Sequence, residues 1–427
     1  MIYLEGKTLA EKIIGEHTHS GHVSAGEVVI VRVDYTFSHD ASGPLLINQI
    51  GKLSKGKIDQ TNRIDQQRTI FFIDHAVPPP TKELSNDQEI VRQFAMNNGV
   101  VLSDAGNGIC HQVMAEDFAA PGDLIVGTDS HTCTSGGLCA FATGMGATDI
   151  AVAMKLRKTW LRVPETIKVN IRGRTPTGVF AKDLILKTLS ILGTDGATYK
   201  ALEFGGAAIR ELDVYGRLTL ANMAVEAGAK TGLIESDERT RNYLNDYGRE
   251  QQWRKLSADE NAIYESEISF DAGNLEPQVA LPGSPDNVKP VSEVKGTNVN
   301  EVFIGSCTNT RIEDMRVVAK IFKGHKKANG LKLIVTPSSR KVYLRCMREG
   351  ILETLIDAGA VVTPAGCGVC FGALGGIPAD YDIIFSSSNR NFPGRTGNPK
   401  AQTYLGSPAT AAATAVNGYV TDPREFL

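Results

Sequence analysis

The chain has 427 residues, 42% hydrophobic and 22% charged, with a net charge of -3 at neutral pH. That length exceeds one ordinary core and predicts two to four domains. The near-neutral balance leaves no electrostatic footprint for nucleic acid or an anionic membrane as the main partner.

The opening residues, Met1 to Lys7, put charges where a secretory signal needs an apolar run. No stretch of about 18 apolar residues follows, so no membrane span is expected and the expected setting is the cytoplasm. Further along, short β-branched apolar runs recur, each ending in a polar loop. Residues 69–73 lead into Asp74-His75, and residues 124–127 lead into Thr128-Asp129-Ser130-His131. Residues 147–156 have helical spacing. At Pro164-Glu165 the texture changes, to strand-like over 167–171 and then helical. Residues 281–300 are rich in Pro, Gly, Asn and Ser and predict a linker. Residues 302–304 then lead into Gly305-Ser306-Cys307, a helical stretch covers 314–325, and residues 383–385 lead into Ser386 to Arg390. Buried parallel strands alternating with helices predict an α/β fold, divided at about 1–165, 166–285 and 286–427. In open α/β sheets ligands bind outside the carboxyl ends of the strands. The His, Asp, Cys and Arg residues of this chain concentrate there.

Seven cysteines, an odd number in a large chain of intracellular character, point away from a disulfide framework. Cys367-Gly368-Val369-Cys370 is a CxxC, and Cys307 lies sixty residues earlier. Taken alone, a CxxC also fits a redox dithiol or half of a zinc site. A second CxxC to close a zinc site is missing, and His17 and His22, the nearest in spacing, are far away in sequence. Three thiolates with one ligand missing suit an iron–sulfur cluster with an open iron, a Lewis acid for a departing hydroxyl. Cys110, Cys133, Cys139 and Cys346 read as small buried hydrophobes.

Eliminating water also needs an acid for the hydroxyl and a base next to a carboxylate. His75, His111 and His131 each stand at a strand or loop end, and a neighbouring carboxylate favours the charged imidazolium. For each alone, a structural hydrogen-bonded histidine is the competing reading. Arg390 and Arg395, in Asn389-Arg390-Asn391-Phe392-Pro393-Gly394-Arg395, offer two planar forks for carboxylates in a shaped loop.

Together these motifs resemble the aconitase superfamily, in its branch with a separate large subunit. The matching pieces are Asp74-His75, Gly108 to Gln112, Gly127 to Thr132, Asn222 to Glu226, Gly305 to Asn309, Cys367 to Cys370 and Ser388 to Arg395. They run in family order across almost the whole chain. The resemblance implies three α/β/α domains around a shared cleft, with Cys307, Cys367 and Cys370 holding a [4Fe–4S] cluster. It implies that Asp74 with His75 protonates the leaving hydroxyl, and that His111 with Asp129 and His131 with Glu226 organise water and substrate. Ser130, Asn222, Asn389, Arg390 and Arg395 would lie against substrate or cluster. The expected reaction is reversible dehydration of a 2-hydroxy acid: 3-isopropylmalate in leucine biosynthesis, or homoaconitate or another alkyl-malate.

The sequence departs from the four-domain pattern in three places. The swivelling fourth domain and its serine base are missing and are expected from a separate small subunit. Thr132-Cys133-Thr134 and the loop from His39 to Gln49 also differ, and the family's early glutamine contact finds no counterpart. A cluster-sensing RNA-binding protein and a structural zinc protein are the readings from other classes.

Overall fold

The main sheets reverse their strand order at the points where the chemistry of the chain collects. The computed structural model describes residues 6–55, 64–372 and 374–427. The first five residues of the N-terminal reading fall outside these.

The first sheet has five parallel strands in the spatial order Val101–Ser103, Thr69–Phe72, Tyr35–His39, Leu124–Gly127, Phe141–Gly144. From Tyr35–His39 the chain adds strands to one side, then returns to add Leu124–Gly127 on the other. The carboxyl ends of those two strands therefore flank a crevice, and they carry His39-Asp40 and Thr128-Asp129. Burial of all four residues in Thr69–Phe72 and in Leu124–Gly127 explains their unbroken apolar character.

A four-stranded parallel sheet follows, in the order Thr231–Ile234, Ala201–Gly205, Thr166–Arg172, Ser266–Asp271. The third sheet has seven strands, with a parallel centre of Gln402–Leu405, Ile383–Ser386, Glu301–Ile304, Lys332–Val335 and Val361–Val362. Its reversal lies between Glu301–Ile304 and Ile383–Ser386, whose ends carry Gly305-Ser306-Cys307 and Ser387-Ser388-Asn389. An antiparallel ribbon, Val28–Arg32 with Lys158–Arg162, stands apart.

The helical spacings are realised as Ala147–Leu156 and Ile312–Phe322. The expected linker is partly ordered: Val288–Pro290 pairs with Gln278–Ala280 at the edge of the third sheet, and a short helix covers Val291–Val294. Proline is tolerated there because an edge strand need not donate to a further neighbour. Gln278–Ala280 also pairs with Gln402–Leu405, so the third sheet begins before residue 285. No helix among the described residues is long and apolar enough to cross a membrane.

One apolar cluster joins Phe37, Ile70, Phe72 and Ile125 of the first sheet to Phe303 and Ile334 of the third, and it includes Cys307, Cys367 and Cys370. The two reversal points are thus held against one another by shared burial.

Candidate active site

The loop after Glu301–Ile304 is tightly shaped. A Cβ at Gly305 would lie 2.1 Å from the Phe303 ring, and Ser306 is held at φ 86°, a costly left-handed conformation for serine. Arg311, fully buried, fastens the loop. Its guanidinium donates to the backbone oxygens of Cys307 (2.8 Å) and Thr308 (2.5 Å) and to Gln112 Oε1 (2.8 Å). The CxxC loop presses equally close. Cys367 N donates to Asp74 O at 3.0 Å, and Gly368, at φ 64°, leaves only 2.5 Å between a built Cβ and Thr336 Oγ1.

The structure brings the three cysteines together. Asn389 Nδ2 lies 3.3 Å from Cys307 Sγ, and Asn389 Oδ1 lies 3.7 Å from Cys370 Sγ. Asn222 Nδ2 donates to Cys307 Sγ at 3.2 Å, and Arg395 Nη2 lies 3.7 Å from Cys370 Sγ. The Cys367 thiol donates to Cys370, which with the Arg395 charge holds the Cys370 pKa well below that of an ordinary thiol. Burial raises Cys307 to about 11. Buried sulfurs ringed by N–H donors and a guanidinium are what a thiolate-held cluster requires. Cys110, Cys133, Cys139 and Cys346 are buried, as expected of structural thiols. His17 is spent on Ile13 O and Asp34.

Facing the sulfurs is a chain of imidazoles and carboxylates. His75 Nδ1 bonds Asp74 Oδ1 at 2.9 Å, and its Nε2 lies 3.6 Å from Asp129 Oδ2. Asp74 Oδ2 also accepts from Cys110 N at 2.6 Å. Burial opposes the charge on His75, but Asp74 and Asp129 outweigh it and hold its pKa well above the usual histidine range. Asp129 accepts from His111 Nε2 (2.8 Å) and from His131 N (2.7 Å). Burial would raise its pKa; the histidines, His111 foremost, hold it well below the carboxylate range. His131 Nε2 bonds Glu226 Oε1 at 2.8 Å, and Arg390 Nε closes on both Glu226 oxygens at 2.9 and 3.0 Å. Burial is again outweighed: His131 is raised and Glu226 lowered. Ser130 is exposed and lines a cavity of about 370 Å³ with Asp129, Gly146 and Lys230.

Ligand atoms of His111, His131 and Cys307 lie within 4.8 Å of one another, a spacing one ion can use. Both rings, however, have Nε2 committed to a carboxylate.

Several participants were not singled out from the sequence. His39 stacks on His75 with centroids 4.0 Å apart, and its Nε2 lies 3.7 Å from Asp129. Burial and the His75 charge depress it to about 3, and its Nδ1 has no hydrogen-bond partner among the described residues. Asp40 accepts from the backbone of His75 and Ala76, fixing the loop that carries the acid. Thr134 accepts from Asn222 Nδ2 at 2.8 Å, so the departure at 132–134 still orients that amide. Lys182 is fully buried and donates to Ser387 O (3.0 Å) and Ser388 O (2.5 Å). Burial lowers it to about 7, against the pull of Cys370 and Cys307. A signal for it existed: Lys182 shares a helical face with Ile185, Leu186 and Leu189, all buried.

Compared with known proteins, the chain matches the aconitase family (aconitate hydratase) over residues 11–296 and 289–418. It is 51% identical to 3-isopropylmalate dehydratase large subunit 1 of Thermotoga maritima, over 99% of this chain and 100% of that protein. Large subunit 2 of Archaeoglobus fulgidus is likewise 51% identical, over 99% of this chain and 100% of its own length. The large subunit of Elusimicrobium minutum is 51% identical over 99% of each chain.

Proposed function

The chain belongs to the aconitase family, and from that premise we propose that it is the large, cluster-carrying subunit of a 3-isopropylmalate dehydratase. The observation that carries the reading is the meeting of Cys307, Cys367 and Cys370 around Asn389, facing the charged pair Asp74–His75. The three cysteines would hold a [4Fe–4S] cluster. When bound, it supplies Lewis acidity towards substrate oxygen.

The remaining work falls to side chains. His75, kept protonated by Asp74 and Asp129, gives its proton to the departing hydroxyl and takes it back on rehydration. Asp129 and His111 hold water beside it, as do His131 and Glu226. Arg390 spends Nε on Glu226, which leaves its terminal nitrogens for a substrate carboxylate. Arg395 and Asn222 steady the sulfurs, Asn389 spans two of them, and Ser130 lies at the cavity. A separate small subunit brings the serine base; the relatives' names, which call them large subunits, support this partner.

Co-expression with a small subunit under anaerobic conditions, followed by assay on a panel of alkyl-malates, tests the reading. Turnover of 3-isopropylmalate by the complex is expected, with little or none by the isolated chain holding its cluster. Preference for homoaconitate would reassign the substrate. Equal turnover by the isolated chain would remove the partner. Stoichiometric zinc without iron–sulfur absorbance would overturn the cluster itself.

A further inference from the structure

Taking each of the three large sheets with its helices as a unit, Lys182 lies on the helix Ala181–Leu192 of the second, yet its ammonium ends in the third, on the backbone after the strand Ile383–Ser386. It is among the largest fully buried side chains of the molecule. Its hydrogen-bond acceptors are two backbone oxygens, and among the described residues no carboxylate pairs with it. Neighbouring acids are occupied: Asp183 accepts from Phe180 N and Gln278 N, and Asp314 from Arg311 N and Asn309. A buried ammonium without a carboxylate is expensive, and a methionine of similar length would pack at lower cost. The strongest attraction on its charge comes from the sulfurs of Cys370 and Cys307, ahead of Asp183 and Asp314.

The backbone it grips matters as much as its charge. Ser387 and Ser388 directly precede Asn389, which spans Cys307 and Cys370, and Arg390, which holds Glu226. Ser387 is also locked to the other cysteine loop, where its hydroxyl bonds Gly305 N at 3.0 Å and Gly305 O at 3.2 Å. Lys182 thus ties the second unit to the strand end from which both Asn389 and Arg390 project.

We propose that Lys182 is a positioning residue of the cluster site, fixing the Ser387–Ser388 backbone and supplying the positive charge that offsets the buried cysteine sulfurs. The proposal rests on the reading that Cys307, Cys367 and Cys370 hold an iron–sulfur cluster. A positive charge beside such a cluster favours its reduced, more negative state, so net charge and hydrogen bonding set its potential.

The test uses the complex with its small subunit, prepared without air, as wild type, Lys182→Gln and Lys182→Arg. Each is titrated redox-potentiometrically with detection by electron paramagnetic resonance, and the rate of cluster loss in air is followed by visible absorbance. Glutamine can still donate to a carbonyl but carries no charge. Its potential should fall below wild type and its cluster should decay several-fold faster, while arginine should restore the potential. A wild-type potential in the glutamine variant overturns the proposal. So does equal failure of both variants to assemble, which would make Lys182 a packing residue. Assembly of arginine but not glutamine supports it. Absence of a cluster from the wild type would instead sink the functional reading on which the proposal stands.

Discussion

Asp129 is the most connected acid of the site, and Asp129→Asn is the most exacting test of how the imidazole chain works. The carboxylate takes bonds of 2.8 Å from His111 and 2.7 Å from His131 N, and stands 3.6 Å from His75 Nε2. Unit charges about 4 Å apart attract by roughly 4 kcal/mol at an effective dielectric of about 20. That figure is an upper bound on what His75 loses, since Asp74 remains at 2.9 Å. Removing one member of a buried pair costs about 3–5 kcal/mol. Asparagine can still accept one of the two bonds, and Asp129's side chain is 17% exposed, so a stability loss of about 3 kcal/mol is expected. Because Asp129's folded pKa is depressed, its contribution is complete above the unfolded value of 3.8 and is lost as pH falls through the folded value. The gap between variant and wild type should therefore be full at pH 7 and close in acid. With the acid His75 less firmly charged, turnover by the complex should fall at least about 100-fold, within the usual range for general acid–base groups. Urea denaturation of the apo chain at pH 7 and again at a pH well below the unfolded value of 3.8 reads the first effect, and anaerobic turnover at matched iron content reads the second. Turnover within threefold of wild type would refute the role given to this chain of charges.

Two further outcomes follow from other parts of the molecule. Cys307→Ala, Cys367→Ala or Cys370→Ala should each abolish bound iron and visible absorbance, whereas Cys346→Ala should keep both; iron analysis of anaerobically purified chains decides. Glu301 is buried, its Oε2 has no hydrogen bond among the described residues and only a loose ion pair with Lys332 at 3.6 Å, and burial pushes its pKa up to about 7. A raised carboxylate pKa makes folding costlier as pH climbs from the unfolded 4.5 through the folded value, so Glu301→Gln should gain about 1–3 kcal/mol at pH 8 and nothing at pH 4.5, read by urea denaturation.

The strand ends were legible because parallel strands buried on both faces must be continuously apolar, and a polar break after such a run marks a carboxyl end. Asp74, Asp129, Cys307 and Asn389 all stand just after such runs and are therefore visible without any knowledge of contacts. The partnership of His131 with Glu226, 95 residues apart, came only from resemblance, because sequence spacing carries no information about pairs that meet across sheets. His39 escaped notice although it also ends a strand, since Tyr35–His39 is a polar-looking run whose burial depends on its central place in the sheet. The stretch 281–300 looked like a linker because an edge strand ending in proline has the composition of a loop. Lys182 is inconspicuous in the sequence because a lysine in a helix is usually solvated, and only its shared face with Ile185 and Leu189 hints otherwise.

The route of charge across the molecule accounts for the separation of these residues in sequence. His131 belongs to the first unit, Glu226 to the second and Arg390 to the third, and they form one continuous set of hydrogen bonds. Lys182 makes a second link between the second and third units, and Gln112 with Arg311 a third, between the first and the last. Each link takes charge out of water, which weakens a fold more often than it strengthens it. Apolar packing alone would hold the units together at less cost. It would leave them free to slide by fractions of an ångström, and misplacement by about an ångström costs a reaction roughly a hundredfold in rate. Directional hydrogen bonds made by charged groups restrict that sliding. The buried charges are therefore better explained by the alignment of His75 and Arg390 with the three cysteines than by stability.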